Sequence, residues 1–166
     1  AKCIIGNGVV VHLPTLIKEI EYLESKGIGI HSKLMISSQC PLILPTHILI
    51  DEARERSLGK KSIGTTGRGI GPVYEDKVAR RVVHVMDLFD EDLFRSKLSS
   101  LIDYHNFILK ELFGAEGVDA EEVLKDWMDQ FDKIRNLVVD SSKTVNEFLA
   151  SNSNILFEGA QGSMLD

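Results

Sequence analysis

Gly64-Thr65-Thr66-Gly67-Arg68-Gly69-Ile70-Gly71-Pro72-Val73-Tyr74-Glu75-Asp76-Lys77-Val78-Ala79-Arg80-Arg81 is the stretch on which the reading of the fold turns. Four glycines fall within positions 64–71. Without a Cβ, each can adopt positive φ and let a ligand approach the backbone. The two threonines add hydroxyl donors, and Pro72 suits the first position of a helix, where its missing N–H leaves nothing unsatisfied. Lys77, Arg80 and Arg81 follow on the next turns. Free N–H groups, hydroxyls and a helix N-terminus suit an anion, and basic side chains nearby suit a phosphate. The preceding residues, His47 to Leu58, look helical, so the glycines lie between two helices. That weighs against the dinucleotide-binding fold, whose glycines follow a strand. The P-loop pattern is also absent: Gly59-Lys60 is followed by Lys61, and position 54 is Arg where that pattern needs Gly. The other reading of the run is a solvated connector with basic residues on an exposed helix face.

On the N-terminal side, the β-branched run from Cys3 to Val11, punctuated by Gly6 and Gly8, reads as one or two short strands. Pro14 starts a helix with Leu16, Ile20 and Leu23 at helical spacing, and Gly27 closes it. Lys33 to Ser37 reads as a second strand. A loop with Pro41 and Pro45 then leads to a helix capped by Thr46 and closed near Gly59, with Glu52 and Arg56 paired one turn apart.

On the C-terminal side no proline occurs from Val73 to Asp166, and the chain becomes strongly helical. Asp90 caps a helix with Leu93, Leu98, Leu101, Ile102, His105, Ile108, Leu109 and Leu112 on its apolar side, stopping at Gly114. Asp119 with Glu122 predicts a capping box for a helix whose apolar face holds Val123, Leu124, Trp127, Phe131, Ile134 and Val138. A last helix around Thr144 to Ala150 leads to a strand from Asn154 to Phe157 and a turn from Glu158 to Gly162. Trp127, Phe131 and Tyr104 are expected in the core, and His105 is expected to be a satisfied, half-buried residue and not a ligand.

A length of 166 residues allows one domain or a domain and a half, and 43% hydrophobic residues can fill a sizeable core. The net charge of −6 argues against a general nucleic-acid binder, whose footprint is basic. No apolar run approaches the roughly 20 residues of a membrane span, and no signal-peptide pattern opens the chain. Cys3 and Cys40 lack metal-ligand spacing and read as reduced thiols of a cytoplasmic protein. The five histidines form no His-x-x-x-His pair, so no protein-bound structural metal is expected. The chain opens inside a strand-like run and stops after a glycine-containing turn, which suggests an excised piece of a longer protein.

Four motifs in order give this reading a specific content. Gly69-Ile-Gly-Pro-Val-Tyr-Glu-Asp-Lys-Val-Ala-Arg80 resembles the signature of the adenylosuccinate synthetase family. Ile5-Gly-Asn-Gly-Val-Val10, Cys40-Pro-Leu-Ile-Leu44 and Leu156-Phe-Glu-Gly-Ala-Gln-Gly162 fit the same family, in its order and from end to end of the chain. Ser163 is a small departure, since Thr is expected there. The resemblance implies a GTP-dependent ligase of AMP synthesis that acts as a homodimer. GTP phosphorylates the 6-oxygen of IMP, and the amine of L-aspartate displaces that phosphate, with Mg²⁺ on the phosphates. The family's aspartate base and catalytic histidine sit in N-terminal motifs that this chain lacks, so Asp87, Asp90, His84 and His105 are not assigned those roles. The Mg²⁺ ligands, the guanine-reading motif and the aspartate-binding loop are likewise expected outside it, and the chain alone is expected to be inactive.

What the resemblance does place here is part of the IMP site. Thr66 falls on the threonine that contacts the 5′-phosphate, Gln161 on a glutamine that contacts IMP, and Arg80 on an arginine that reaches the IMP phosphate of the other subunit. Arg68 and Lys77 share the signature, either as phosphate contacts or as loop-fixing and interface charges. The fold class implied is α/β: a predominantly helical central block flanked by strand-containing segments of a larger, discontinuous nucleotide-binding domain. Residues 1–38 and 139–166 are read as parts of that domain, and 39–138 as a helical subdomain carrying the glycine-rich IMP-phosphate loop. The alternative is a helical interaction module with a non-catalytic glycine-rich interface loop.

Overall fold

The computed structural model describes residues 1–62 and 64–159 and shows a mixed α/β chain. Three short strands, β1 (Cys3–Ile5), β2 (Leu34–Ser37) and β3 (Val138–Val139), form one parallel sheet in the order β1-β2-β3. Ile4 lies opposite Met35, and Ile36 opposite Val138. Parallel neighbours need a crossover, and α1 (Leu13–Ser25) supplies it between β1 and β2. Its Leu13, Ile17 and Ile20 are buried, and Gly27, at φ +77°, turns the chain away from it.

Beyond β2, the segment Cys40 to Ile43 is held on both sides. Val11 N–H donates to Pro41 O and Ile43 N–H to Val11 O, both at 2.8 Å. Leu42 N–H donates to Val83 O at 2.9 Å and Val85 N–H to Cys40 O at 3.0 Å. This clamp fixes where the next helix, α2 (Pro45–Leu58), departs. The glycine-rich run then leads into α3 (Ile70–Val78). Two long helices follow, α4 (Glu91–Phe113) and α5 (Ala120–Ile134), before β3 and α6 (Ser141–Ala150). Helix α2 packs on α3 and α4, α4 on α5, and α5 on α1. The main core lies among α1, the sheet, α4 and α5, where Trp127, Phe94 and Phe131 are the largest buried side chains.

Helix ends are set much as the sequence predicts. Asp90 accepts from Leu93 N–H at 3.0 Å, and Gly114 ends α4 in the left-handed region. Asp119 accepts from the N–H groups of Glu121 and Glu122, both at 2.9 Å, so it caps α5 alone, without the return bond from Glu122 that a capping box needs. Several expectations are corrected. No strand forms at Asn154 to Phe157, where Leu156 is 91% exposed; the third strand is Val138–Val139, which finds a partner edge on β2. Val138 therefore extends the sheet and not the apolar face of α5. The last helix starts three residues earlier than Thr144, because Asp140 accepts from Lys143 N–H and caps it at Ser141. On α4, Leu93 and Leu112 face solvent, and Phe94 takes the buried position, a shift of one residue in a long stripe. Pro72 is the third residue of α3 and not the first; its missing N–H is still one of the orphan donors of a first turn. Tyr104 is 41% exposed and carries the Arg81 guanidinium over its ring at 4.3 Å, so it is not a core residue.

Candidate functional site

The glycine-rich loop is bound to α2 by two carboxylates one helical turn apart. Asp51, which is buried, accepts the Thr65 hydroxyl on Oδ1 and the Gly69 N–H on Oδ2, each at 2.9 Å. Glu55 accepts Gly64 N–H at 2.8 Å. Gly69 lies so close to α2 that a Cβ there would stand 2.8 Å from the His47 carbonyl carbon and the Ile48 nitrogen. With φ at +74°, the position needs glycine twice over. The two threonines therefore divide. Thr65 is committed to the scaffold, whereas Thr66 is exposed and has no hydrogen-bond partner among the described residues. Arg68 is exposed beside it. From the middle of α3, Tyr74 donates its hydroxyl to Gly8 O at 2.7 Å and ties the helix to the turn after β1.

Behind the loop, three helices meet on one carboxylate. Asp76 of α3 is buried, and its Oδ2 lies 2.9 Å from His47 Nε2 of α2 and 2.9 Å from His105 Nε2 of α4. Its Oδ1 accepts from Arg81 Nε at 2.6 Å. His47 Nδ1 accepts the Leu44 N–H at 2.8 Å, which fixes the tautomer: the ring hydrogen sits on Nε2 and points at Asp76. The far side of His105 meets the Thr46 hydroxyl at 2.7 Å. Burial alone would raise the Asp76 carboxyl, but the hydrogen bonds from His105 and His47 outweigh it and hold the group below the usual carboxylate range. Burial lowers His47, against the pull of Asp76. Thr46 is thus no N-cap; Pro45 starts the helix, and the His47 imidazole serves the cap N–H in its place.

At the far end of α3 the chain turns through Arg80, which takes the left-handed conformation at φ +61°. Lys77, Arg80, Arg81, His84 and Lys97 line a groove of about 480 Å³ between this turn and α4. Arg81 is paired with Asp76, Lys97 with Asp87 at 2.7 Å, and Lys77 stands 5.9 Å above the Tyr74 ring. Arg80 is exposed and has no carboxylate partner among the described residues. The groove is a concentration of positive charge on a chain whose net charge is −6.

Of the three site residues named from sequence, Thr66 and Arg80 lie beyond opposite ends of the 9-residue α3, which spans roughly 13.5 Å at 1.5 Å per residue. The structure does not bring them to one point. Gln161 lies outside the described residues. Sequence reasoning missed His47, Asp51 and Asp76. His47 and Asp51 are four residues apart on the face of α2 that also buries Ile50, so a polar pair on a buried stripe was the available signal.

His47, Asp76 and His105 are also the described residues whose side chains come close enough to hold a metal, with ligand atoms within 4.8 Å of one another. They do not suit Mg²⁺, which takes oxygen ligands. The His47 ring hydrogen on Nε2 already points at Asp76, and Arg81 sits beside the carboxylate. The group is a hydrogen-bonded clamp. No helix among the described residues is long and apolar enough to cross a membrane.

Comparison with known proteins gives the family. The family model described as adenylosuccinate synthetase matches residues 1–166. The chain is 50% identical over 165 residues to the adenylosuccinate synthetase of Shewanella amazonensis and 52% identical over 164 residues to that of Mannheimia succiniciproducens. Each alignment covers 99% of this chain and 38% of the relative's length. The fully ligated adenylosuccinate synthetase of Plasmodium falciparum superposes with a TM-score of 0.87 at 32% identity, over 99% of this chain and 38% of that one. On a match that runs from the first residue to the last, the chain belongs to the adenylosuccinate synthetase family.

Proposed function

We propose that the full-length protein is a GTP-dependent carbon–nitrogen ligase that joins IMP and L-aspartate into adenylosuccinate, a step of AMP synthesis. It acts in the cytoplasm as a homodimer and requires Mg²⁺ bound by residues outside this chain. This chain supplies part of the IMP site: Thr66 and Gln161 serve their own subunit, and Arg80 serves the partner's. One observation carries the reading beyond family membership. The loop spends Thr65 and the N–H groups of Gly64 and Gly69 on α2, and leaves the Thr66 hydroxyl exposed and without a partner among the described residues. A loop pre-set in this way, with an exposed hydroxyl left to donate, suits a phosphate oxygen. The separation of Thr66 from Arg80 favours two different phosphates, one on each side of a subunit boundary. Cys3 and Cys40 are both free thiols, consistent with a reducing compartment.

The test is kinetic and uses the full-length protein. Thr66→Ala should raise the KM for IMP a few-fold to about tenfold, the scale of one neutral hydrogen bond, and leave the KM for GTP unchanged. An effect confined to GTP would move the loop to the other nucleotide. Unchanged kinetics throughout would favour an interface loop in a helical interaction module.

A further inference from the structure

We propose that Asp76 is a positioning residue for Arg80: the buried carboxylate holds the end of α3 in the shape that carries the Arg80 guanidinium over the basic groove. This rests on the reading that Arg80 binds the partner subunit's IMP. The starting observation is backbone strain. Among the described residues, Arg80 and Asn152 are the two non-glycine positions with positive φ. Asparagine visits that region readily, but a long side chain such as arginine does so at a cost. The residue after a helix is the usual place for glycine, which makes the same turn freely. A strained residue persists there only where its surroundings over-determine it, and such residues concentrate at working sites. Glycine at position 80 would relieve the strain and remove the guanidinium.

The surroundings that hold Arg80 converge on Asp76. Arg80 N–H donates to Lys77 O at 3.2 Å, and Arg81 N–H donates to Asp76 O at 3.0 Å. The Arg81 side chain donates to Asp76 Oδ1 at 2.6 Å, and its guanidinium lies 4.3 Å from the Tyr104 ring centroid. Position 81 is thus gripped through main chain and side chain by one residue of the last helical turn. Position 80, between the grips, has nowhere to relax. Asp76 itself cannot shift, because His47 and His105 anchor its other oxygen to α2 and α4.

The same geometry requires a carboxylate. The Leu44 N–H occupies His47 Nδ1, so His47 Nε2 must present a hydrogen. Arg81 presents another to the opposite oxygen. An asparagine at position 76 would face a donor with its NH₂ in either orientation. Asp76 is buried and its oxygens are taken by His47, His105 and Arg81, so it acts through Arg80 and not on the ligand.

The test is a double-mutant cycle in the full-length protein: Asp76→Asn, Arg80→Leu and the pair, with kcat and the KM values for IMP and GTP measured for each. Asp76→Asn should raise the KM for IMP about threefold to tenfold, with kcat and the KM for GTP within about twofold, and should add nothing once Arg80 is Leu. A purely structural role would disturb all three constants and persist in the Arg80→Leu background; that result overturns the proposal. If Asp76→Asn does not fold, Arg81→Leu carries the same cycle, since it removes the 2.6 Å contact from a side chain that is one-third exposed. Arg80→Leu with an unchanged KM for IMP would overturn the reading of Arg80 itself. An impaired Arg80→Leu beside a normal Asp76→Asn or Arg81→Leu would overturn the positioning role alone.

Discussion

Gly69 and His47 approach so closely that a methyl group on the first would stand 2.8 Å from the carbonyl carbon of the second. The loop lies directly on the α2 backbone there, and Asp51, one turn further along, takes the Gly69 N–H. Gly69→Ala should therefore destabilise the full-length protein by about 2–3 kcal/mol, from overpacking against backbone together with a strained φ. It should also weaken IMP, because Thr66 hangs from the same loop. Chemical denaturation and IMP titration of the variant check both; a fully stable Gly69→Ala protein would contradict the close approach.

Arg80→Gly should separate stability from function. Removing the side chain relieves the left-handed strain, so the full-length protein should gain about 0.5–1 kcal/mol against denaturant. The same change removes a charge-assisted contact of roughly 1.5–3 kcal/mol, so IMP should bind about tenfold to a hundredfold more weakly. A variant that loses stability as well as affinity would show that Arg80 is part of the scaffold.

Arg80 should also show its subunit boundary. Arg80→Leu protein, assayed at an IMP concentration far below its raised KM and mixed with a variant defective in a residue of the IMP site's own subunit, gives mixed dimers with one doubly defective site and one intact site. Activity should recover on mixing. No recovery, with subunit exchange demonstrated, would assign Arg80 to its own subunit's site.

Acid should loosen the clamp around Asp76. Burial holds His47 below its ordinary value of 6.5, so the unfolded chain binds a proton that the folded one refuses. The stability linked to His47 is present above 6.5 and is lost as the pH falls below it. Asp76 is held below its ordinary value of 3.8, and its contribution is lost on further acidification from there. Both signs agree: the thermal midpoint should fall between about pH 7.5 and pH 5, and fall faster below about pH 4. His47→Gln keeps an N–H donor toward Asp76 but cannot titrate, so it should narrow the drop from pH 7.5 to 5. An equal drop in that variant would place the acid sensitivity elsewhere.

Cys40 should be chemically silent. Its buried thiol donates to Gly6 O at 3.2 Å, and burial pushes it up to about 11, so little thiolate exists near neutrality. A maleimide at about pH 8 should leave Cys40 of the folded full-length protein unmodified and label it once the protein is denatured. Labelling at equal rates in both states would contradict its burial.

The sequence by itself determined what depends on neighbours along the chain. The caps at Asp90 and Asp119, the stops at Gly27 and Gly114, and the apolar stripe Val123-Leu124-Trp127-Phe131-Ile134 were all legible, because caps and helical faces are local chemistry. The signature from Gly69 to Arg80 carried the family for the same reason: it is one contiguous run. Tertiary structure alone decided which strand completes the sheet, since Val138–Val139 pairs and Asn154 to Phe157 does not, and pairing needs a partner about a hundred residues away. It alone separated Thr65 from Thr66, two identical side chains of which only one reaches Asp51. And it alone assembled His47, Asp76 and His105, which lie 29 residues apart at the closest and meet because three helices converge on one buried carboxylate that must have its donors.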